Sequence, residues 1–186
     1  MFMNKKDQDL LLKLARNTLE CCFKDIDPDT SQCVHLTQLR GCFVTLHKHN
    51  QLRGCIGFPR PIMPLFEQII AATKAAAFED PRFQPISKNE TKNIVIEISI
   101  LTRPELIKVK DCNEYVKNIE IGRDGLIIQG ESSGLLLPQV ATEFNFDQKQ
   151  FLECLSEKAG LNKDAWKNLD NKIFKFRAEI FSEDVD

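Results

Sequence analysis

The sequence lacks a CxxC pair, a long apolar run and any excess of basic residues. Structural zinc sites usually draw on closely spaced cysteine pairs, so no structural metal is expected. A membrane-spanning helix needs roughly 18 consecutive apolar residues, so no membrane association is expected. The net charge of −2 argues against binding to nucleic acid, whose phosphates require a basic surface.

A secretory leader is not expected either. The apolar run at residues 10–12 is short, and Asp7 and Asp9 precede it. The chain has seven cysteines, an odd number at irregular spacing, which indicates reduced thiols rather than a disulfide framework. These features together predict a cytoplasmic protein.

Apolar periodicity predicts one domain of mixed structure. With 186 residues, of which 42% are hydrophobic, the chain is long enough for a sizeable core in one or two lobes. The predicted helices cover residues 4–23, 65–79, 147–159 and 162–169, and the clearest predicted strands cover residues 42–47, 51–57, 93–101 and 172–181. Since hairpins alternate with helices, we expect an α+β fold with a mainly antiparallel sheet flanked by helices.

The first candidate site is the segment from Arg53 to Gly57. In a strand, Arg53 and Cys55 project to the same face, and a cation beside a thiol favours the nucleophilic thiolate. Gly54 and Gly57 leave room for a ligand to approach the backbone. The alternative is a half-buried cysteine in a strand with glycine bulges, because inert buried thiols are common.

The second candidate is the loop that contains Asp80, Arg82 and Phe83. Asp80 can fold back on the backbone as an Asx turn, and the guanidinium of Arg82 suits a carboxylate or phosphate group. The alternative is a helix-ending turn with a local Asp–Arg pair.

A third candidate is Glu97, with Ser99, in an otherwise apolar strand. A carboxylate there is costly unless it is paired or faces a wet cleft. Glu97 therefore either pairs with an arginine, Arg53 or Arg82, or lines a pocket as an acid–base group. His47 and His49 match no metal motif and are interpreted as exposed residues at a hairpin tip.

The ordered motifs of this chain resemble the AMMECR domain family. The segment 52–57 (LRGCIG) is identical to the hallmark hexapeptide of that family. Six further segments match in the same order: 41–46, 80–83, 97–102, 122–126, 136–141 and 158–161. The chain departs from many relatives in having His49, Asn50 and Gln51 where they have a glycine-containing turn, and Phe146 where they have tryptophan.

The resemblance implies an AMMECR-type α+β fold over residues 1–186, with a larger lobe that includes both termini and a smaller lobe from the middle of the chain. It implies a largely uncharacterised function, with Arg53, Gly54, Cys55 and Gly57 as the suspected site. Prokaryotic members resemble AmmeMemoRadiSam system protein A, a name that groups the domain with a Memo-like protein and a radical S-adenosylmethionine protein.

Three functional hypotheses follow. The first is a cysteine-dependent enzyme or enzyme subunit for a small polar or anionic molecule, with Cys55 as nucleophile or covalent carrier, Arg53 lowering the pKa of its thiol, and Glu97 as acid–base group. The second is a ligand-binding or protein-interaction module, and the third is a partner or substrate of the Memo-like and radical S-adenosylmethionine proteins. No cofactor is expected. The residues expected to bind the ligand are Gly54, Gly57, Asp80, Arg82, Phe83, Ser99, Pro138 and Gln139.

Overall fold

A computed structural model describes residues 3–184 of the chain. The helices are α1 (Lys5–Cys21), α2 (Leu65–Phe78), α3 (Glu114–Lys117), α4 (Pro138–Glu143) and α5 (Gln148–Lys158), with 3₁₀ turns at Lys88–Asn93 and Ala165–Lys167. The strands are β1 (Cys42–Lys48), β2 (Gln51–Phe58), β3 (Ile94–Leu101), β4 (Glu105–Leu106), β5 (Gly125–Gln129), β6 (Ser133–Leu136), β7 (Lys172–Phe176) and β8 (Ala178–Ser182). Within the described residues, no helix is both long and apolar enough to cross a bilayer.

The chain divides into two compact units. The first contains residues 3–101 and 179–184, and the second contains residues 102–178. One sheet has the strand order β2-β1-β3-β8, and the other has the order β4-β7-β5-β6. The β1–β2, β1–β3, β4–β7, β5–β6 and β5–β7 pairs are all antiparallel. The predicted α+β class with mainly antiparallel pairing is confirmed.

The core of the first unit lies between helices α1 and α2 and one face of its sheet. Alternate residues of β1 and β3 are fully buried on that face, among them Val44, Leu46, Ile96 and Ile98. The intervening residues of the same strands point to the other face, because side chains alternate along a strand. Thr45 and His47 of β1 and Glu97 and Ser99 of β3 therefore lie on this second face.

The hairpin between β1 and β2 closes through His49 and Asn50. Both have positive φ, 52° and 60°, and Lys48 pairs with Gln51 on either side of them. Two consecutive left-handed residues are the signature of a type I′ turn, whose twist matches that of the flanking strands. The departure from a glycine-containing turn is thus accommodated by the backbone.

Extended structure over residues 172–181 is confirmed, but the single predicted strand is two strands, β7 and β8, which belong to different sheets. Arg177 lies between β7 and β8, and its backbone bonds to Thr102 instead of to a neighbouring strand. The Arg177 N–H donates to Thr102 Oγ1 at 2.8 Å, and the Arg177 carbonyl accepts from the Thr102 N–H at 2.8 Å. The single residue between the strands is therefore where the chain changes sheet.

The predicted helix over residues 162–169 is also wrong, since only the 3₁₀ turn Ala165–Lys167 forms there. The side chain of Asn162 accepts from the N–H of Asp164, and that of Asn168 accepts from the N–H of Asp170. Asparagine side chains that bond the local backbone in this way compete with helical hydrogen bonds.

Candidate functional site

Cys55, Thr45 and Glu97 form a row across three adjacent strands of the first sheet. Thr45 on the central strand β1 pairs with Cys55 on β2 and with Glu97 on β3, so all three side chains lie on one face. The Thr45 hydroxyl donates to Cys55 Sγ at 3.2 Å. Two strand spacings place the Cα atoms of Cys55 and Glu97 about 10 Å apart. Cys55 and Glu97 therefore share one face of a single sheet.

His47 joins this row from the next outward-facing position of β1. Its Nε2 lies 3.9 Å from Glu97 Oε2, and the two side chains are 32% and 27% exposed. The sequence alone suggested that His47 is an exposed hairpin residue outside the site. Its spacing of two from Thr45 is a signal that could have found it, because residues i and i+2 share a strand face. We call the side chains of Cys55, Thr45, His47 and Glu97 the Cys55 face.

Asp80 and Arg82 hold the backbone of Cys55 from the outer edge of the sheet. Because β2 is an edge strand, the N–H and carbonyl of Cys55 have no strand partner on that side. Asp80 Oδ2 accepts from the Cys55 N–H at 2.9 Å, and Arg82 Nη2 donates to the Cys55 carbonyl at 3.2 Å. We call Asp80 and Arg82 the clamp.

The clamp is internally paired as well. Arg82 Nε donates to Asp80 Oδ1 at 2.9 Å, and Arg82 Nη2 donates to Asp80 Oδ2 at 2.7 Å. The Asp80 side chain is 2% exposed, whereas that of Arg82 is 53% exposed. These bonds from Arg82, helped by those from the backbone, hold the pKa of the Asp80 carboxyl far below its usual range, against the opposing effect of burial. Asp80 is therefore ionised at neutral and mildly acidic pH.

The thiol of Cys55 is not the activated thiolate that the sequence predicted. Burial raises its pKa above the ordinary value, and the negative charges of Asp80 and Glu97 act in the same direction. The hydrogen bond from Thr45 and the positive charge of Arg82 oppose this effect without outweighing it. Cys55 is accordingly a neutral thiol in the resting protein, and the predicted lowering of its pKa is wrong.

Arg53 is not the partner of this thiol. Its Nη1 donates to the carbonyl of Gln84 at 2.8 Å, and its Nε donates to Glu90 Oε1 at 3.2 Å. The register of β1 against β2 shifts at Leu46/His47, so Arg53 falls at an irregular position of the hairpin. The charge that acts on the Cys55 thiol from an arginine is that of Arg82. The predicted role of Arg53 in stabilising a thiolate is therefore replaced by a structural contact.

The space at the two glycines of the hexapeptide is filled by the protein itself. A Cβ on Gly54 would overlap the carbonyl oxygen of Ala76 in α2, so Gly54 allows the helix to pack closely on the sheet. A Cβ on Gly57 would overlap the backbone and ring of Phe43. The structure therefore assigns both glycines a packing role, and their contact with a ligand through the backbone stays a prediction.

Known proteins match the chain along most of its length. The AMMECR1 family profile matches residues 12–181. The protein PF1979 of Pyrococcus furiosus is 46% identical over 185 residues, covering 95% of this chain and 88% of the relative. The protein MJ0810 of Methanocaldococcus jannaschii is 53% identical over 147 residues, covering 77% of this chain and 73% of the relative. The chain belongs to the AMMECR1 family.

A solved structure supports the same assignment. The crystal structure of the uncharacterised protein PH0010 from Pyrococcus horikoshii superposes with a TM-score of 0.89 at 43% identity, covering 98% of this chain and 94% of the other. The resemblance expected from the hexapeptide and its satellite motifs is thus confirmed at the level of family and fold.

The other predicted ligand-binding residues of this AMMECR1-family chain are distributed between the two units. The guanidinium of Arg82 lies 5.4 Å from the ring centroid of Phe83. Ser99 is buried on β3, two residues from Glu97. Pro138 and Gln139 belong to the second unit, where Pro138 begins α4, and their part in the site stays a prediction.

The Cys55 face does not resemble a metal centre. Within residues 3–184, no three side chains of His, Cys, Asp or Glu are grouped so that they could hold a metal ion. The face instead offers a neutral thiol, a hydroxyl and a carboxylate that contacts an imidazole. Those groups can exchange hydrogen bonds and a proton with a small polar molecule.

Proposed function

We propose that this protein binds a small polar molecule over the Cys55 face and uses Cys55 as a nucleophile that is neutral at rest. The observation that carries the proposal is the alignment of Cys55, Thr45 and Glu97 across three strands, with the Thr45 hydroxyl bonded to the sulfur. This alignment places a potential nucleophile and a potential base on one face of the same sheet, as nucleophilic catalysis requires.

The neutral thiol needs a base before it can react. Glu97 is the carboxylate on the same face, and its contact with His47 orients it. The proton that leaves the Cys55 thiol would pass to Glu97, and the sulfur would form a bond to a carbonyl carbon of the ligand while the C=O π bond opens onto its oxygen. The proposal includes the expected cytoplasmic setting, in which the Cys55 thiol stays reduced.

Arg82 is the residue that we assign to an anionic group of the ligand. Its Nε and Nη2 bind Asp80 and Cys55, while within the described part of the chain its Nη1 has no protein acceptor. The side chain is half exposed, and a guanidinium offers planar donors suited to a carboxylate or phosphate.

The proposal is tested with a small acyl electrophile, p-nitrophenyl acetate, used as a probe of Cys55. Acylation is followed by intact mass and peptide mapping across a range of pH. With a working base, Cys55 is acylated well below the pH at which its thiol ionises by itself, in addition to the reaction near the thiol pKa. Glu97→Gln should remove the acylation at low pH and keep the reaction near the thiol pKa, whereas Glu67→Gln, at an exposed carboxylate of α2, should leave both unchanged.

A second candidate function is a binding module in which Cys55 packs without reacting. The raised pKa of the Cys55 thiol favours it, because most buried thiols are inert. Acylation confined to the pH range of the thiol pKa, and insensitive to Glu97→Gln, would establish this alternative and contradict the nucleophile proposal.

A further inference from the structure

The segment between α2 and the 3₁₀ turn Lys88–Asn93 follows the outer edge of β2 without forming a strand. Asp80 and Arg82 contact the backbone of Cys55, and the carbonyls of Gln84 and Pro85 accept from Arg53 at 2.8 and 3.4 Å. The segment therefore runs in the opposite direction to β2, since residues 80–82 contact Cys55 and residues 84–85 contact Arg53. The segment is attached to β2 at two points, spaced by about 7 Å along the strand.

The second attachment is a network centred on Glu90. Its carboxylate accepts from Arg53 Nε at 3.2 Å, from Arg53 Nη2 at 3.3 Å and from Lys48 Nζ at 2.9 Å. It also accepts from the N–H and hydroxyl of Ser87, which forms a capping box. The side chains of Arg53 and Glu90 are 17% and 21% exposed, so water screens their attraction less than it screens a surface pair.

The two attachments act on the same short stretch of chain. Only Phe83 separates the clamp residue Arg82 from Gln84, the first residue that Arg53 holds. With Pro81 and Pro85 stiffening the stretch on either side, a displacement at Gln84 is transmitted to Arg82 and Asp80. Arg53 also presents a planar fork that reaches two carbonyls and one carboxylate at once, which a lysine cannot reproduce.

We propose that Arg53 and Glu90 form a latch that holds the Asp80–Arg82 clamp against the backbone of Cys55. Arg53 is then a positioning residue of the site rather than a partner of its thiol. The role of the latch in catalysis rests on the proposed function, whereas its contacts are present in the protein without a ligand. It gives a physical reason for an arginine two residues before Cys55 that does not involve thiolate stabilisation.

The amide proton of Cys55 reports on the latch directly. This N–H is bonded to Asp80 and faces outward, whereas the N–H groups of Gly54 and Ile56 face β1, because the backbone alternates along a strand. In native-state hydrogen exchange followed by NMR, Arg53→Ala should raise the exchange rate of the Cys55 amide by about tenfold or more, the factor expected for loss of about 1.4 kcal/mol of local protection. The Ile56 amide should change by less than about twofold.

A double-variant comparison separates positioning from general loosening. In an Asp80→Asn background the Cys55 amide has already lost part of its acceptor, so Arg53→Ala should add less than about twofold there. Arg53→Lys should fall between the native protein and Arg53→Ala. Arg123→Ala, at an arginine of the second unit that pairs with Asp124, is the matched control and should leave the Cys55 amide unchanged.

Two results would overturn the latch. One is an equal rise at Cys55 and Ile56, which indicates that Arg53 only stabilises the sheet. The other is an Arg53→Ala effect of the same size in the native and Asp80→Asn backgrounds. If Arg53→Ala does not fold, Glu90→Gln removes the charge at the other end of the latch and must give the same local pattern. None of these readouts uses an electrophile, so the latch and the nucleophile proposal can fail separately.

Discussion

Replacing Asp80 with asparagine should destabilise the first unit and change Cys55 at the same time. The Asp80 carboxylate accepts four hydrogen bonds: Oδ1 accepts from the backbone N–H and Nε of Arg82, and Oδ2 accepts from the Cys55 N–H and Arg82 Nη2. An asparagine has one acceptor oxygen, so two of the four bonds are lost. Its NH₂ group must then face donors.

The size of the loss follows from burial. If the amide oxygen takes the Oδ1 position, the Cys55 N–H is left without an acceptor, and one bond from Arg82 is also lost. An unpaired backbone N–H away from water costs about 1–3 kcal/mol. The bond from the half-exposed Arg82 contributes about 0.2–1 kcal/mol, because solvent screens it. We therefore expect Asp80→Asn to lower the free energy of unfolding by about 1–4 kcal/mol.

Asp124→Asn provides a matched control. Asp124 is also 2% exposed at its side chain, and it accepts from the N–H of Glu120 and from Arg123, but it lies in the second unit. Urea unfolding followed by circular dichroism should show a comparable loss for both variants. Only Asp80→Asn should also lower the apparent pKa of Cys55 in rate-resolved alkylation, because it removes a negative charge that raises that pKa.

The reasoning fails if Asp80→Asn costs less than about 0.5 kcal/mol, the range of an ordinary surface substitution. It also fails if both aspartate variants change the alkylation of Cys55 equally, since the effect would then come from lost stability rather than from the clamp.

Two further predictions concern stability. Asp80 and Glu90 both have pKa values held below the usual range, chiefly by hydrogen bonds from Arg82 and from the Ser87 backbone respectively. As pH falls, these carboxylates are protonated in the unfolded chain before they are protonated in the folded protein. The stability that Asp80 and Glu90 contribute is therefore complete above about pH 5 and is lost as pH falls below about 4. Urea midpoints measured from pH 6 to 2.5 should fall less steeply in Asp80→Asn than in the native protein. Gly54→Ala should destabilise by about 1–3 kcal/mol or more, because the new methyl group meets the Ala76 carbonyl, while Gln51→Ala on the exposed end of β2 should change the urea midpoint little.

Much of the first unit could be predicted from local patterns. The alternation of isoleucines in β3 and the apolar spacing of α1 identify those elements, because burial on one side imposes a period on the residues. The order β2-β1-β3-β8 is not encoded in any such period. The position of Thr45 between Cys55 and Glu97 depends on β1 being the central strand, and only the pairing of distant segments decides that.

The candidate site shows the same division. Cys55, Asp80, Arg82 and Glu97 could be identified from the sequence, because burying a polar side chain in an apolar setting costs free energy unless it finds a partner. It assigned the wrong partner to Cys55, since proximity along a strand suggested Arg53. The partner of Arg53 is Glu90, which lies 37 residues away along the chain, and no local pattern indicates a contact at that distance.

The geometry explains why the hexapeptide is accompanied by the loop that contains Asp80 and Arg82. An edge strand leaves the N–H and carbonyl of every second residue unpaired, and at Cys55 these groups lie directly behind the candidate nucleophile. Asp80 supplies the acceptor that the N–H needs, Arg82 supplies the donor that the carbonyl needs, and their mutual ion pair keeps both in place. The hexapeptide and the loop thus act together, since the side chains of the loop complete the hydrogen bonding of the strand. Because the backbone of Cys55 is held on both sides, its thiol can change partners between Thr45 and a ligand through side-chain rotation alone.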